Sequence, residues 1–395
     1  MKVSLVCPAS LPATQFGGIM FLCVDIAREL VKIGHDVTIY TTDLDFANNP
    51  KTFNKNLPRV ESIHGFKINR THVWFSYQLF YVNPSMYFEM KKEGTDLIHT
   101  IGVRSFQSFV ATLVSRKLKV PLIISDQGGL TTHPDLEKSG LFKKILYKFQ
   151  DPMIKFIIKQ ATKIIVPNEY EKQIFSHYNA ASKASIVRNG ISLDEIYENK
   201  IDFKAKYKLN EDFVLFVGRF NKVKGIDVLL RAWSTIRDNI ELQNTKLVIM
   251  GVDFGFEAEM YKMREELKIA DQVVIIKKPS RLDILAAYEA CQFLVLPSRW
   301  ELSPLTPLEG FAFKKPTIST TAHGIPFTIQ NGENAILVRP EDHRQLADAI
   351  LRLLRDDKMR QEYGNAGYRL VHDVCNSKVM TQNILKIYEE AMAQS

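Results

Sequence analysis

The sequence predicts an α/β chain made of two parallel-sheet halves. Three observations carry that reading. The N-terminal region alternates apolar strand, helix and strand; the same alternation restarts at Phe213; and 395 residues are too many for one ordinary hydrophobic core. Residues 2–7 form an apolar strand that breaks at Pro8. Residues 19–33 place apolar side chains at helical spacing and stop at Gly34, a residue suited to the left-handed backbone of a helix end. Residues 35–40 supply the second strand, and further strands are expected at 97–100, 121–125 and 163–167. Helices between strands imply parallel pairing through right-handed crossovers, with ligands at the carboxyl ends of the strands. The second half continues from 213–218 through 246–251, 272–276, 293–297, 316–320 and 335–338, and the polar stretch 192–211, including Glu198-Asn199-Lys200, reads as the linker. The expected organisation is a Rossmann-like domain over 1–195, a second over 210–375 facing it across a cleft, and a terminal helix over 376–395 crossing back to the first.

Composition narrows the function classes. Hydrophobic residues at 46% and charged residues at 24% are those of a globular protein. No apolar run reaches the roughly 18–20 residues that span a bilayer, and the N-terminus lacks the long apolar region of a secretory signal, so a cytoplasmic location is expected. Cys7, Cys23, Cys291 and Cys375 are widely spaced and suggest neither a zinc site nor a disulfide framework. The net charge of +8 is uneven: residues 1–200 hold 25 Lys and Arg against 18 Asp and Glu, an excess of seven. A basic first half points to an anionic membrane surface, and the absence of any nucleic-acid-binding signature puts nucleic acid aside. Residues 141–149, from Leu141 to Phe149, place Phe142, Ile145, Leu146 and Phe149 on one helical stripe beside Lys143, Lys144 and Lys148, a pattern that fits peripheral attachment to the inner face of the cell membrane. Its plain alternative is a helix packed on the domain with a wet basic face, which is the preferred reading for 153–163.

Two motifs carry chemistry. In Gly218-Arg219-Phe220-Asn221-Lys222-Val223-Lys224-Gly225, a glycine-bracketed turn after a strand bears a planar cation and a mobile one, which suits two adjacent phosphates. In the run WELSPLTPLEG, Glu301 precedes and Glu309 follows the start of a helix, with Ser303 as expected N-cap and Pro304 at the first helical position. The backbone N–H groups of Leu305 and Thr306 would then be available to a phosphate. Cations for a diphosphate and carboxylates for hydroxyls together describe a pocket for a nucleotide-activated sugar. Gly17 and Gly18, between the first strand and its helix, allow close backbone approach to a ligand.

These motifs, with Asn189-Gly190 and in this order along nearly the whole chain, make it resemble the retaining GT-B glycosyltransferases of family 4 (group 1). The resemblance implies the GT-B fold and a nucleoside-diphosphate sugar, UDP- or GDP-linked, as co-substrate, with no other cofactor and no essential metal. It implies that Arg219 and Lys224 hold the diphosphate and stabilise its departure, that Glu301 contacts sugar hydroxyls, and that Glu309 contacts the nucleotide ribose. Gly17, Gly18, Gly218, Ser303, Leu305 and Thr306 complete the expected donor site. The acceptor is expected to be a saccharide or lipid-linked saccharide. The chain departs from the family at Leu302-Ser303-Pro304, where Gly-Phe-Gly is common, and at Thr321-Ala322-His323-Gly324-Ile325-Pro326, where Gly-Gly-x-x-Glu is common. It also departs at Gln127, where many relatives carry a histidine. Gln127, Asp126, His99 and His133 are acceptor-side candidates, with a satisfied buried imidazole as the alternative for His99. Asp43-Leu44-Asp45 matches the metal-binding Asp-x-Asp of another glycosyltransferase fold but reads here as a solvated loop. A sugar epimerase of the same fold and a non-catalytic nucleotide-binding scaffold are the rival readings.

Overall fold

The computed structural model describes residues 1–45, 53–77, 79–130, 141–197 and 201–394, with the side chains of 141–149 outside that description. His133, Gln78 and Glu198-Asn199-Lys200 lie outside the described residues, and so do the side chains of the stripe from Leu141 to Phe149. The chain forms two compact units, Met1–Gly190 with Ser377–Ser395, and Ile191–Asn376.

In the first unit, β1 (Lys2–Val6), β2 (Asp36–Thr42), β3 (Val60–Ile63), β4 (Phe66–Thr71), β7 (Leu97–Ile101), β8 (Leu122–Ser125), β9 (Lys163–Val166) and β10 (Ala184–Ile186) make one sheet. Its order is β10-β9-β8-β7-β1-β2-β4-β3, and only the β3–β4 pair is antiparallel. A separate two-stranded hairpin joins β5 (Phe75–Tyr77) to β6 (Phe80–Val82). Val6, Ile98, Ile124 and Ile164 from the sheet pack with Val110, Val114, Ile154 and Ile157 from its helices into one buried core. The helix Leu141–Gln160 runs through Pro152 as a single element, and beyond that proline Ile154, Ile157 and Ile158 face the core. The closing helix Ser377–Ala393 belongs to this unit: Ser377 donates to Glu29 at 3.3 Å, and Met380, Ile384, Ile387 and Tyr388 are buried.

The second unit is a six-stranded sheet of β11 (Asp212–Val217), β12 (Thr245–Gly251), β13 (Val273–Lys277), β14 (Leu294–Leu296), β15 (Thr317–Thr320) and β16 (Ala335–Val338). The order is β13-β12-β11-β14-β15-β16, with every pair parallel. Period-two alternation sends Val214 and Phe216 into a core with Trp233, Leu247, Ile249 and Ile350, and Phe213 and Leu215 into a second core with Val248, Leu285, Leu308 and Phe311. Residues 192–211 are not a bare linker, as their polarity suggested. Two short helices, Leu193–Ile196 and Phe203–Tyr207, bury Ile196 and Phe203, and the Phe203 ring lies 5.2 Å from that of Phe213.

Candidate functional site

In the second sheet the strand order reverses between β11 and β14, so crossovers leave on opposite faces and the loops beyond these two strands part to form a crevice. Both sequence motifs lie there. The turn from Gly218 to Gly225 leaves β11, and the segment containing Glu301 leaves β14. The two loops touch at backbone level: Gly225 has φ +71°, and a Cβ on it would stand 2.0 Å from the carbonyl oxygen of Pro297, so no other residue fits without displacing the loop. Asn221 shapes the turn by accepting from the Val223 N–H at 2.8 Å, and Lys222–Lys224 form a 3-10 turn. This brings Lys224 Nζ onto Glu301 Oε1 as an ion pair across 77 residues of sequence, both side chains partly exposed. Ser298 Oγ donates to the same carboxylate at 3.5 Å. Arg219 stacks its guanidinium 4.6 Å from the centroid of the Phe254 ring.

Arg299 was not visible as a site residue in the sequence, yet it ties these loops together. Its guanidinium donates to both Asp227 oxygens at 2.7 and 2.8 Å, to Glu341 at 2.6 and 2.9 Å, and to the Lys222 carbonyl, while its own N–H donates to the Val223 carbonyl at 2.8 Å. Burial works against this cation, but Asp227 and Glu341 outweigh it and hold its pKa above the ordinary arginine value.

The helix expected after Ser303 starts later. It spans Thr306–Ala312, its N-cap is Leu305, and Pro307, not Pro304, sits in its first turn. Ser303 is therefore not the cap. The 301–305 segment is held by tertiary contacts instead: Gly324 N–H donates to the Glu301 carbonyl at 3.0 Å, and a Cβ on Gly324 would stand 1.9 Å from the Leu302 oxygen. Beside it, His323 adopts φ +50°, and partial burial lowers its imidazole pKa.

Glu309 is buried and not a helix-surface residue. It pairs with Arg281 Nη2 at 2.7 Å, and Arg281 Nε donates to Glu195 at 3.1 Å. The buried Tyr288 belongs to the same cluster: burial first, then the Glu309 charge, pushes its phenol well above the usual range. Neither Arg281 nor Tyr288 was singled out in the sequence, since Arg281 falls in an ordinary SRLD helix start. That start is a capping box. Ser280 accepts from the Asp283 N–H and Asp283 from the Ser280 N–H, both at 3.1 Å, which fixes Arg281 as the first residue of the helix Arg281–Ala290.

The first unit carries the remaining candidates. Gly17 has φ +105° and stands at the N-terminus of the helix Gly18–Lys32, after β1 and at this sheet's own reversal between β1 and β7. His99, on β7, is fully buried, with Nδ1 at 2.7 Å from Tyr388 Oη and Nε2 at 2.8 Å from Ser125 Oγ. Burial lowers its pKa to about 3. The acceptor-contact reading of His99 is thereby replaced by the buried-imidazole one, because it has no exposed atom to offer. Asp126 is also buried; its Oδ2 accepts from the Leu130 N–H at 2.8 Å, and burial raises its pKa to about 6. It is therefore a loop-holding group and presents no surface to an acceptor. The buried Glu171, which the sequence did not reveal, is raised well above the carboxylate range by burial and by Asp126. Gln127, at φ +53° and partly exposed, exchanges two amide hydrogen bonds with Asn189 at 3.0 and 2.9 Å. Asp43 is not solvated: its carboxylate accepts from the Val73 N–H at 3.1 Å and meets His72 Nδ1 at 2.5 Å.

Among the described residues, no helix is long and apolar enough to cross a membrane. The family model "Glycosyltransferase Family 4" matches residues 16–195, and "Glycosyl transferases group 1" matches residues 198–370. An uncharacterized glycosyltransferase of Methanocaldococcus jannaschii is 24% identical over 412 residues, spanning 99% of each chain. The sucrose-phosphate synthase of Thermosynechococcus elongatus superposes with a TM-score of 0.78 at 21% identity, covering 100% of this chain and 99% of that one. Anabaena HepE in complex with UDP-glucose does so with a TM-score of 0.76 at 16% identity, covering 99% of this chain and 100% of that one. At these identities the structural likeness is one of fold.

Proposed function

This chain belongs to the family 4, group 1 glycosyltransferases and has the GT-B fold, and from that premise we propose that it moves a sugar, with retention of anomeric configuration, from a nucleoside-diphosphate donor to a saccharide or lipid-linked acceptor. The observation that carries the reading is the meeting of Lys224 with Glu301 at the reversal point of the second sheet, with Arg219 on the same turn. In the resting site Glu301 compensates the Lys224 charge. An entering diphosphate offers Lys224 a stronger anionic partner, and Glu301 is released toward the hydroxyls of the sugar. The acceptor hydroxyl oxygen bonds to the anomeric carbon as the bond from that carbon to the β-phosphate oxygen breaks. The acceptor proton passes to a phosphate oxygen, and the nucleoside diphosphate departs with Arg219 and Lys224 stabilising its growing charge. UDP is the proposed leaving group, since HepE, of the same fold, is described with UDP-glucose. Two fixed cations supply the positive charge that this step needs, so no resident metal is invoked, and chelator should leave the rate unchanged. The acceptor is assigned to the basic first unit, with attachment to an anionic membrane proposed for the helix that begins at Leu141.

The test is calorimetric titration of UDP-, GDP- and ADP-sugars into the chain without added metal, followed by transfer assays with saccharide and lipid-linked acceptors. Micromolar binding of a UDP-sugar and an α-configured product from an α-linked donor are expected. Inversion at the anomeric carbon would overturn the retaining reading, and turnover of the donor to an epimer without any acceptor would move the chain to the epimerase class.

A further inference from the structure

The Glu195–Arg281–Glu309 cluster lies wholly within the second unit and joins the motif carboxylate Glu309 to two residues, Glu195 and Arg281, that no motif of the sequence requires. Glu309 stands in the first turn of the helix Thr306–Ala312 and is buried; Arg281 opens the helix Arg281–Ala290; Glu195 lies on the short helix Leu193–Ile196. Arg281 bridges the other two, donating through Nη2 to Glu309 Oε1 at 2.7 Å and through Nε to Glu195 Oε1 at 3.1 Å. A glutamate side chain in a buried position has three rotatable bonds ahead of its oxygens and a large cost for holding its charge without a partner. A guanidinium anchored from two sides meets both requirements: its planar fork sets the carboxylate's direction as well as its charge. Tyr288, from the same helix as Arg281, closes the site with a buried ring. One Glu309 oxygen is thus engaged by Arg281, and the carboxylate keeps acceptor capacity for a hydroxyl.

We propose that Arg281 is a positioning residue for the nucleotide ribose: held by Glu195, it orients the Glu309 carboxylate that accepts from the ribose hydroxyls, and so sets the preference of this site for a ribonucleotide over its 2′-deoxy counterpart. The inference rests on the proposed nucleoside-diphosphate donor and on the ribose contact that the family resemblance implies for Glu309. It extends that role to the arginine on which the carboxylate depends and to the acid that anchors this arginine.

The experiment titrates UDP and 2′-deoxy-UDP separately into the full-length chain and into its Arg281→Met, Arg281→Lys and Glu195→Gln variants, with melting curves to confirm folding. The unsubstituted chain should prefer UDP by about tenfold, the order expected for loss of one hydrogen bond to a charged group. In Arg281→Met the preference should fall below about threefold while 2′-deoxy-UDP binds nearly as before, because only the ribose contact is lost. Arg281→Lys should restore part of the preference, since it returns the charge without the fork. Equal affinity of the unsubstituted chain for the two nucleotides would overturn the ribose reading of Glu309 and this inference with it. A full UDP preference that survives in Arg281→Met would overturn the inference alone. Equal weakening of both nucleotides would do the same, by placing Arg281 on another part of the ligand. Should Arg281→Met fail to fold, Glu195→Gln decides: a UDP preference reduced by about threefold is expected, and an unchanged preference counts against the positioning role.

Discussion

Single residues divide here into those proposed to meet a ligand and those that hold such residues in place. Arg219 and Lys224 are partly exposed. Arg219→Ala and Lys224→Ala should each weaken UDP binding about tenfold or more by calorimetry, with little change in melting temperature. Glu301→Gln should behave differently. It removes the partner that Lys224 has in the resting site, so UDP should bind at least as tightly, while transfer falls about a hundredfold through loss of the proposed sugar contact. A result in which nucleotide affinity and transfer fall together would contradict the partner exchange proposed for Lys224. His99 shows how far residue type alone can mislead. Its strand-end position suggested an acceptor contact, but both ring nitrogens are used inside the first unit. Its folded pKa of about 3 lies below the unfolded value of roughly 6.5, so its contribution to stability is complete above about pH 6.5 and is lost as the pH falls toward 3. Asp126 and Glu171 have the opposite sign. Their folded pKa values are raised above the unfolded value of roughly 4, so they favour the folded state at low pH and oppose it as the pH rises through the folded value, which is about 6 for Asp126. Glu171→Gln should therefore raise the melting temperature at pH 7.5, with the gain vanishing near pH 4. A gain independent of pH would show that packing, and not ionisation, is responsible.

At the level of elements, the site is a junction of two loops set by strand order. Gly225→Ala places a methyl group against the Pro297 carbonyl and requires an alanine at φ +71°, so it should destabilise the second unit by about 2–4 kcal/mol in denaturant unfolding. Arg299→Met leaves the buried face of Asp227 without its bidentate partner. It should cost about 3 kcal/mol and weaken UDP binding, although Arg299 need not touch the ligand, because the Lys222–Lys224 turn loses its tie to the loop after β14. Unchanged UDP affinity in a folded Arg299→Met variant would show that Gly225 and Asn221 fix the turn by themselves. The misplaced helix start is instructive at the same scale. Ser303-Pro304 and Thr306-Pro307 present the same local signature three residues apart, and propensity cannot choose between them. The choice falls to the Gly324–Glu301 and Gly324–Leu302 contacts, which hold 301–305 out of the helix.

Across the whole molecule, the chain leaves the first unit after Gly190 and returns to it at Ser377. The returning helix gives the first unit Tyr388, the partner of His99, and Glu390, which pairs with Lys163 at 3.0 Å. Ending the chain at Asn376 should therefore expose the apolar face of the helix Gly18–Lys32 and make the first unit aggregate or melt early, and an unaltered first transition in calorimetry would refute this.

What the sequence by itself determined was the alternation of strands and helices, the eleven apolar strands of the two parallel sheets, and the two motifs that end β11 and β14. Those strands are buried on both faces and so read as continuous apolar runs, and the motifs bring charged residues and glycines to places where a core strand must stop. The polar strand β4 was invisible, because Asn69 and Arg70 are buried only by virtue of partners far along the chain: Arg70 donates to the carbonyls of Pro58 and Leu11 at 2.8 and 2.7 Å. Arg281, Arg299, Glu171 and Tyr288 escaped notice for the same reason. A lone arginine or glutamate in a sequence is most often a solvated surface charge, and only the tertiary structure decides which ones are desolvated, since desolvation and pairing depend on residues about 20 to 90 positions away that the fold alone brings together.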